Sequence, residues 1–65
     1  MLEVIEVLAE SDLNWEAAAQ NAVDFATESV RSIRSIYIDN FEAKVEDGKI
    51  SKFRINAKIT FELEK

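Results

Sequence analysis

The sequence lacks histidine, cysteine and proline, and it contains a single glycine. Without cysteine there is no disulfide, and without either cysteine or histidine there is no structural zinc site of the usual kind. The same absences exclude Ser-His and Cys-His nucleophile pairs, together with any imidazole base that titrates near neutral pH. We therefore predict that the protein is not an enzyme.

Long apolar runs are also missing, and no segment approaches the ~20 residues that a membrane-spanning helix needs. Residues 1–10 carry three glutamates and no base, so they are not typical of a signal peptide. A cytoplasmic location is the default expectation. The glutamates near the start of the chain resemble a solvated surface more than a cation site, and we predict no metal site.

The 65 residues are 48% hydrophobic, which predicts one folded domain over residues 1–65. A domain this small buries little apolar surface relative to the entropy it loses on folding. With no disulfide or metal to stabilise it, oligomerisation is the remaining means. The sequence therefore predicts a homo-oligomer.

The charges are unevenly distributed along the chain. Residues 1–30 hold seven acids and no base, whereas residues 31–65 hold eight bases and six acids. The net charge of −5 argues against general binding to nucleic acid or to anionic membranes. A local basic surface in the second half remains compatible with it.

Hydrophobic periodicity predicts the order β-α-β-β. Residues 2–9 form a short apolar strand, and Asn14 then supplies a helix N-cap. Apolar residues at helical spacing extend the predicted helix from Trp15 to about Ser32, and Trp15 is expected to anchor the core. Residues 35–46 and 49–64 alternate as strands around Asp47-Gly48, which is a strong hairpin signal. The predicted fold class is α+β, with a three-stranded antiparallel sheet and one helix packed on one face.

The other face of this sheet has nothing left in the chain to cover it. A two-residue turn places 46 opposite 49, 41 opposite 54, 39 opposite 56 and 37 opposite 58. The uncovered face then carries the following side chains from the two hairpin strands: Ser35, Tyr37, Asp39, Phe41 and Ala43, with Lys52, Arg54, Asn56, Lys58 and Thr60. Two rings among bases suit a flat or anionic ligand, whereas burial between subunits explains the same face without any ligand.

Several segments, in this order, resemble the dodecin family. They are VIEVL at the start, SDLNWEAAAQNAV over 11–23, IR at 33–34, VEDGKI over 45–50 and FRINAKITF over 53–61. The resemblance covers nearly the whole chain. It implies a sheet that partly wraps a helix, twelve copies in a hollow sphere, and non-enzymatic storage of flavins bound in pairs. Some relatives also hold cations or coenzyme A.

Two positions depart from the flavin site that the resemblance implies. Ser35 stands where the family usually has a flavin-stacking tryptophan, and Arg54 stands where it has a glutamine that hydrogen-bonds the isoalloxazine. A lost stacking partner removes roughly 1–3 kcal/mol. Tyr37, two residues along on the same face, is the candidate substitute.

Two hypotheses follow. In the first, a homododecamer binds a small planar or anionic ligand on the uncovered face, with FMN, riboflavin or FAD leading by resemblance. Tyr37 and Phe41 stack, and the bases neutralise a phosphate; the candidate ligand-binding residues are Ser35, Tyr37, Phe41, Arg54, Lys52 and Lys58. In the second, the assembly is structural and has lost flavin binding, and this face serves subunit contacts or another anionic ligand. A platform for single-stranded nucleic acid is disfavoured by the net charge.

Overall fold

The computed structural model describes residues 1–63 and contains three strands and one helix. Strand β1 spans Leu2–Ser11, helix α1 spans Trp15–Thr27, strand β2 spans Ile33–Glu46 and strand β3 spans Lys49–Glu62. The predicted β-α-β-β order is confirmed. The end of the predicted third strand, at residue 64, lies outside the described residues.

The strands form one antiparallel sheet in the order β1-β3-β2, so that β3 pairs with both of its neighbours. Helix α1 packs on one face of this sheet and presents Ala18, Ala22 and Ala26 to it, all of them buried. Small alanine side chains let the helix approach the sheet closely. Beneath them lie the buried side chains of the strands: Val7, Ile55, Ala57 and Ile59.

The helix begins as the sequence predicts. The side-chain oxygen of Asn14 accepts a hydrogen bond of 2.7 Å from the backbone N–H of Ala17, which confirms Asn14 as the N-cap. Trp15 packs against the buried core and forms edge-on contacts with two rings, at centroid distances of 4.9 Å to Phe53 and 5.9 Å to Phe41. The expectation that Trp15 anchors the core is confirmed.

The helix ends earlier than the predicted Ser32, which is a correction. Its last residue is Thr27, and the N–H groups of Ser29 and Val30 close the end on the carbonyl of Ala26. Ser32 then adopts φ of +57°, a left-handed conformation that no helix continues through. The apolar spacing carries on past Thr27 because Val30 and Ile33 still pack against the same core, although Ile33 already belongs to β2.

The hairpin between β2 and β3 turns at Asp47-Gly48, as predicted. Both residues have positive φ, +52° and +75°, and Glu46 pairs with Lys49 across the turn. These are the conformations that a two-residue hairpin turn of matching twist requires.

The hairpin register is predicted correctly at its two ends and wrongly in the middle. Glu46 pairs with Lys49 and Tyr37 with Lys58, but Phe41 lies opposite Ile55 and Arg54 lies opposite Glu42. Irregularities in the pairing insert one unpaired residue at each of three places, Arg34 and Asp39 in β2 and Ser51 in β3. The insertions at Ser51 and Asp39 lie on opposite strands, so their shifts cancel before Tyr37.

The prediction that Phe41 and Ala43 lie on the uncovered face is therefore wrong. The irregularity at Ser51 shifts both residues onto the face that the helix covers, opposite Ile55 and Phe53. Asp39 has no partner across the ladder because it is itself an inserted residue. The predicted pairing of 39 with 56 is wrong for the same reason, and Asn40 takes that place.

Candidate functional site

The uncovered face of the sheet is a grid of cross-strand rows. Opposed residues of an antiparallel sheet share a face, and successive rows on one face lie about 7 Å apart. Read from β1 through β3 to β2, the rows are Val4–Thr60–Ser35, Glu6–Lys58–Tyr37, Leu8–Asn56–Asn40 and Glu10–Arg54–Glu42. Lys52 and Lys44 oppose each other in the row that follows.

Five of the six predicted ligand-binding residues lie on this grid: Ser35, Tyr37, Lys52, Arg54 and Lys58. Tyr37 is 64% exposed and stands beside Lys58, with Ser35 one row away. Phe41, the sixth, is equally exposed at 64%, but its strand register places it with Ile55 and its ring meets Trp15. The structure thus separates the two rings that the sequence places on one face.

Arg54 is held between two carboxylates on the strands that flank it. Its Nε donates to Oε2 of Glu10 at 2.7 Å, and its Nη2 lies 2.6 Å from the same oxygen. Its Nη1 donates to Oε1 of Glu42 at 3.4 Å. The hydrogen bond to Glu10 raises the pKa of Arg54 above its ordinary value, with smaller contributions from the charges of both glutamates. Arg54 is therefore a fixed cation with partners on both sides.

The other bases of the face also meet acids. Lys52 donates to Oδ1 of Asp12 at 3.3 Å, and Lys58 stands directly opposite Glu6. The acidic first half of the chain thus lies beside the basic second half, because β1 pairs with β3. The uncovered face is consequently a mosaic of both signs, and the basic patch expected from the hairpin alone is absent from residues 1–63.

A cleft of about 260 Å³ opens between the rows of Arg54 and Asn56. Its lining combines apolar, amide and charged side chains: Leu8, Asn40, Phe41, Glu42, Arg54, Ile55 and Asn56. The side-chain oxygen of Asn56 is buried and has no hydrogen-bond partner. A buried acceptor without a donor is costly, which makes it a candidate contact for a ligand or a neighbouring molecule.

Trp15 connects this cleft to the helix on the other side of the sheet. Its indole N–H donates to the backbone carbonyl of Glu42 at 3.0 Å, and its ring touches Phe41, which lines the cleft. The start of the helix therefore fixes the position of the strand segment that carries the carboxylate partner of Arg54.

The residues of the site that the sequence analysis missed include Glu10, Glu42 and Asn40. Glu10 could be found only by placing β1 beside β3, and the other two only by placing Asp39 outside the ladder. The sequence does contain a signal that Asp39 lies outside the ladder. Apolar residues occupy 36 and 38 and then 41 and 43, and this change of parity marks an inserted residue between them.

The described residues contain neither a membrane-spanning helix nor a cluster of metal-ligating side chains. No helix within residues 1–63 is long and apolar enough to cross a membrane. Nor do three acidic, cysteine or histidine side chains of that part of the chain gather as a metal-binding group.

Together, the fold and the site define a class of small α+β protein in which one helix covers one face of a three-stranded sheet and leaves the other face open. The sequence profile of the Dodecin family matches residues 1–64. The chain belongs to the dodecin family, as its motifs indicate.

Solved structures give the same result. Dodecin from Streptomyces coelicolor is 26% identical, with a TM-score of 0.93 over 100% of this chain and 93% of that one. The calcium dodecin of Mycobacterium tuberculosis, described as calcium-chelating with a novel calcium-binding site, is 32% identical, with a TM-score of 0.83 over 98% and 91% of the two chains. Dodecin from Streptomyces davaonensis is 17% identical and supports the fold alone, with a TM-score of 0.94 over 100% and 96%. No curated protein sequence matches the chain significantly.

Proposed function

We propose that the protein is a non-enzymatic binding and storage protein for a small planar ligand, acting as a hollow homododecamer. Flavin is the leading ligand, as FMN, riboflavin or FAD, because the chain belongs to the dodecin family and the family resemblance implies flavin. The cytoplasmic location stays a prediction.

One observation carries the proposal, the alignment of an exposed ring, two amides and a guanidinium along the uncovered face. Tyr37 lies in the row of Lys58, Asn40 and Asn56 form the next row, and Arg54 follows. From Lys58 to Arg54 is four residues of extended strand, about 13 Å. A flat heterocycle lying along the strands contacts all three rows.

The proposed roles follow from position. Tyr37 stacks on the ring of the ligand, and Ser35 stands where the family resemblance implies a flavin-stacking tryptophan. The amides and Arg54 supply hydrogen bonds to the polar edge of the ligand, and Phe41 forms the wall of the cleft beside Arg54. Lys58 and Lys52 are the bases nearest the two ends of the proposed binding surface.

The same face offers surface for a second copy. Val4 and Leu8 on β1 are 55% and 72% exposed although both are apolar. Exposed apolar side chains beside a ligand surface fit a site that neighbouring subunits complete, as the family resemblance implies.

The test is a titration of riboflavin and FMN with purified protein, followed by flavin fluorescence and combined with a mass measurement of the assembly. We expect quenching at micromolar protein and a mass of twelve chains. Unchanged fluorescence of both flavins would reject flavin as the ligand, and a monomeric mass would reject the assembly.

The second candidate is a structural assembly that has lost flavin binding. The observation that favours it is the engagement of Arg54 and Lys52 by carboxylates of the same chain, which satisfies both bases without a ligand. Under this alternative, Arg54→Ala alters the assembly mass or the melting temperature. A variant with unchanged mass and melting temperature but weaker flavin binding contradicts it.

A further inference from the structure

The ion cluster around Arg54 bears on which ligands the proposed site accepts. We propose that Glu10 and Glu42 make the site selective for uncharged planar heterocycles and against their phosphorylated forms. The inference rests on the proposed function, since it concerns the same face of the sheet. Glu10 and Glu42 are assigned as specificity-determining residues that act through Arg54 and through their own charge.

The cluster carries more negative than positive charge. Two carboxylates, of Glu10 and Glu42, surround the one guanidinium of Arg54 at N–O distances of 2.6 and 3.4 Å. The cluster therefore has a net charge of −1 on a protein whose total charge is −5. A phosphate monoester brings a further charge of about −1.5 to −2 at pH 7, so it is repelled where an isolated arginine attracts it.

The geometry of Arg54 leads to the same result. Guanidinium binds phosphate best through two parallel N–H groups on one edge. In Arg54 the edge formed by Nε and Nη2 already points at a single oxygen of Glu10. A phosphate must displace that carboxylate before it gains two parallel hydrogen bonds.

The remaining bases of the face do not offer a better place. Lys52 lies 3.3 Å from Asp12, and Lys44 lies 3.7 Å from Glu46. Lys58 stands opposite Glu6 in the adjoining strand. Each lysine of the face is thus paired with, or directly opposed by, an acid.

An uncharged heterocycle meets a complementary surface instead. The buried side-chain oxygen of Asn56 has no donor, and Asn40 stands directly opposite in the same row. A ring edge that presents an N–H group satisfies this acceptor, while the exposed side chains of Tyr37 and Leu8 offer apolar surface on the same face. Neither contact requires a negative charge on the ligand.

Riboflavin and FMN provide the test because they share one ring system and differ by a single phosphate. At an ionic strength of about 20 mM, where exposed charges are weakly screened, we expect riboflavin to bind at least about tenfold more tightly, which corresponds to roughly 1.4 kcal/mol. Raising the salt concentration to about 500 mM should reduce this difference in affinity, because FMN binds more tightly while the affinity for riboflavin stays the same. Equal or tighter binding of FMN at low salt overturns the proposal.

A pair of variants separates the cluster from the overall charge. Glu10→Gln/Glu42→Gln removes the two carboxylates. It should bring the affinities for riboflavin and FMN to within about threefold of each other, mainly by strengthening FMN binding. The control Glu16→Gln/Glu28→Gln makes the same change in net charge at exposed positions on and just beyond the helix, and should leave the ratio unchanged. Equal narrowing by the control overturns the assignment to Glu10 and Glu42.

Failure of the inference differs from failure of the proposed function. If FMN binds as well as riboflavin, the protein binds flavin without the selectivity argued here. If neither flavin binds the native protein, flavin binding and the selectivity are rejected together. The salt series needs no variant, so it tests the selectivity even if the double substitution impairs folding.

Discussion

The two faces of the sheet show how one short chain separates folding from binding. On the covered face, Ile55, Ala57 and Ile59 of the central strand are at most 1% exposed beneath the alanines of the helix. On the uncovered face, their chain neighbours Arg54, Asn56 and Lys58 carry polar side chains, and those of Arg54 and Lys58 lie opposite carboxylates of β1. Because side chains alternate along β3, the odd-numbered residues from 53 to 61 lie on the covered face and the even-numbered residues between them lie on the uncovered face.

Stability and recognition in this protein therefore depend on different interactions. The covered face gains free energy from apolar burial, which is about 25 cal/mol per Å² and does not depend on direction. The uncovered face gains little from its exposed ion pairs, which are typically worth less than 1 kcal/mol. Substitutions on the two faces should therefore have effects of different size and kind.

The largest contrast is expected between Ile59→Ala and Lys58→Ala, which alter adjacent residues on opposite faces. Ile59 is fully buried, so its truncation should lower the free energy of unfolding by about 2–5 kcal/mol. Lys58→Ala should change it by less than about 0.5 kcal/mol. Urea denaturation at one protein concentration measures both, and comparable losses from the two variants would contradict the division of tasks.

A smaller loss of stability is expected from a substitution in the turn between β2 and β3, on which both faces of the sheet depend. Gly48 has φ of +75°, and a Cβ added there meets nothing within 4 Å, so Gly48→Ala introduces only backbone strain. The cost should be about 1–2 kcal/mol in the free energy of unfolding. Asp47→Gly is the control, since it relaxes the neighbouring positive φ, and thermal denaturation should show it to be no less stable than the native chain. A destabilised control would show that the Asp47 side chain, and not the backbone conformation, determines the turn.

The smallest loss of stability is expected from a substitution at Trp15, which links the helix on the covered face to strand β2. Trp15→Phe keeps an aromatic ring at the start of the helix but removes the indole N–H that donates to the Glu42 carbonyl. We expect a loss of about 1 kcal/mol in the free energy of unfolding. The exposed Leu13→Ala provides a nearby control with little expected change in the urea midpoint. If Trp15→Phe is as stable as that control, the indole hydrogen bond does not hold the edge strand.

The fold was largely predictable because each element has a local cause. Asn14 caps the helix, Asp47-Gly48 closes the hairpin, and the odd residues from Phe53 to Phe61 identify the covered face of β3. The dodecin motifs gave the same fold. What local patterns did not settle was the end of the helix, since Val30 and Ile33 pack on the same core from outside it.

The candidate site was predictable only in part, because it depends on pairing between distant segments. The predicted pairing of Tyr37 with Lys58 is correct because the insertions at Asp39 and Ser51 cancel each other before this pair. Phe41 lies between the two insertions, so it is on the opposite face from the one predicted. The carboxylate partner Glu10 is 44 residues away from Arg54 in sequence. Its role follows from the strand order, which alternation within one segment does not encode.

In the proposed function, the uncovered face binds the ligand, and other exposed aromatic surfaces do not. Tyr37 and Phe25 test this directly, because they are 64% and 63% exposed and lie on the uncovered sheet face and on the helix respectively. In riboflavin titrations of variants with native assembly mass, Tyr37→Ala should weaken binding by about tenfold or more through lost stacking, and Phe25→Ala should leave the affinity unchanged. Native affinity in Tyr37→Ala, or an equal loss in Phe25→Ala, would contradict the assignment of this face as the binding site.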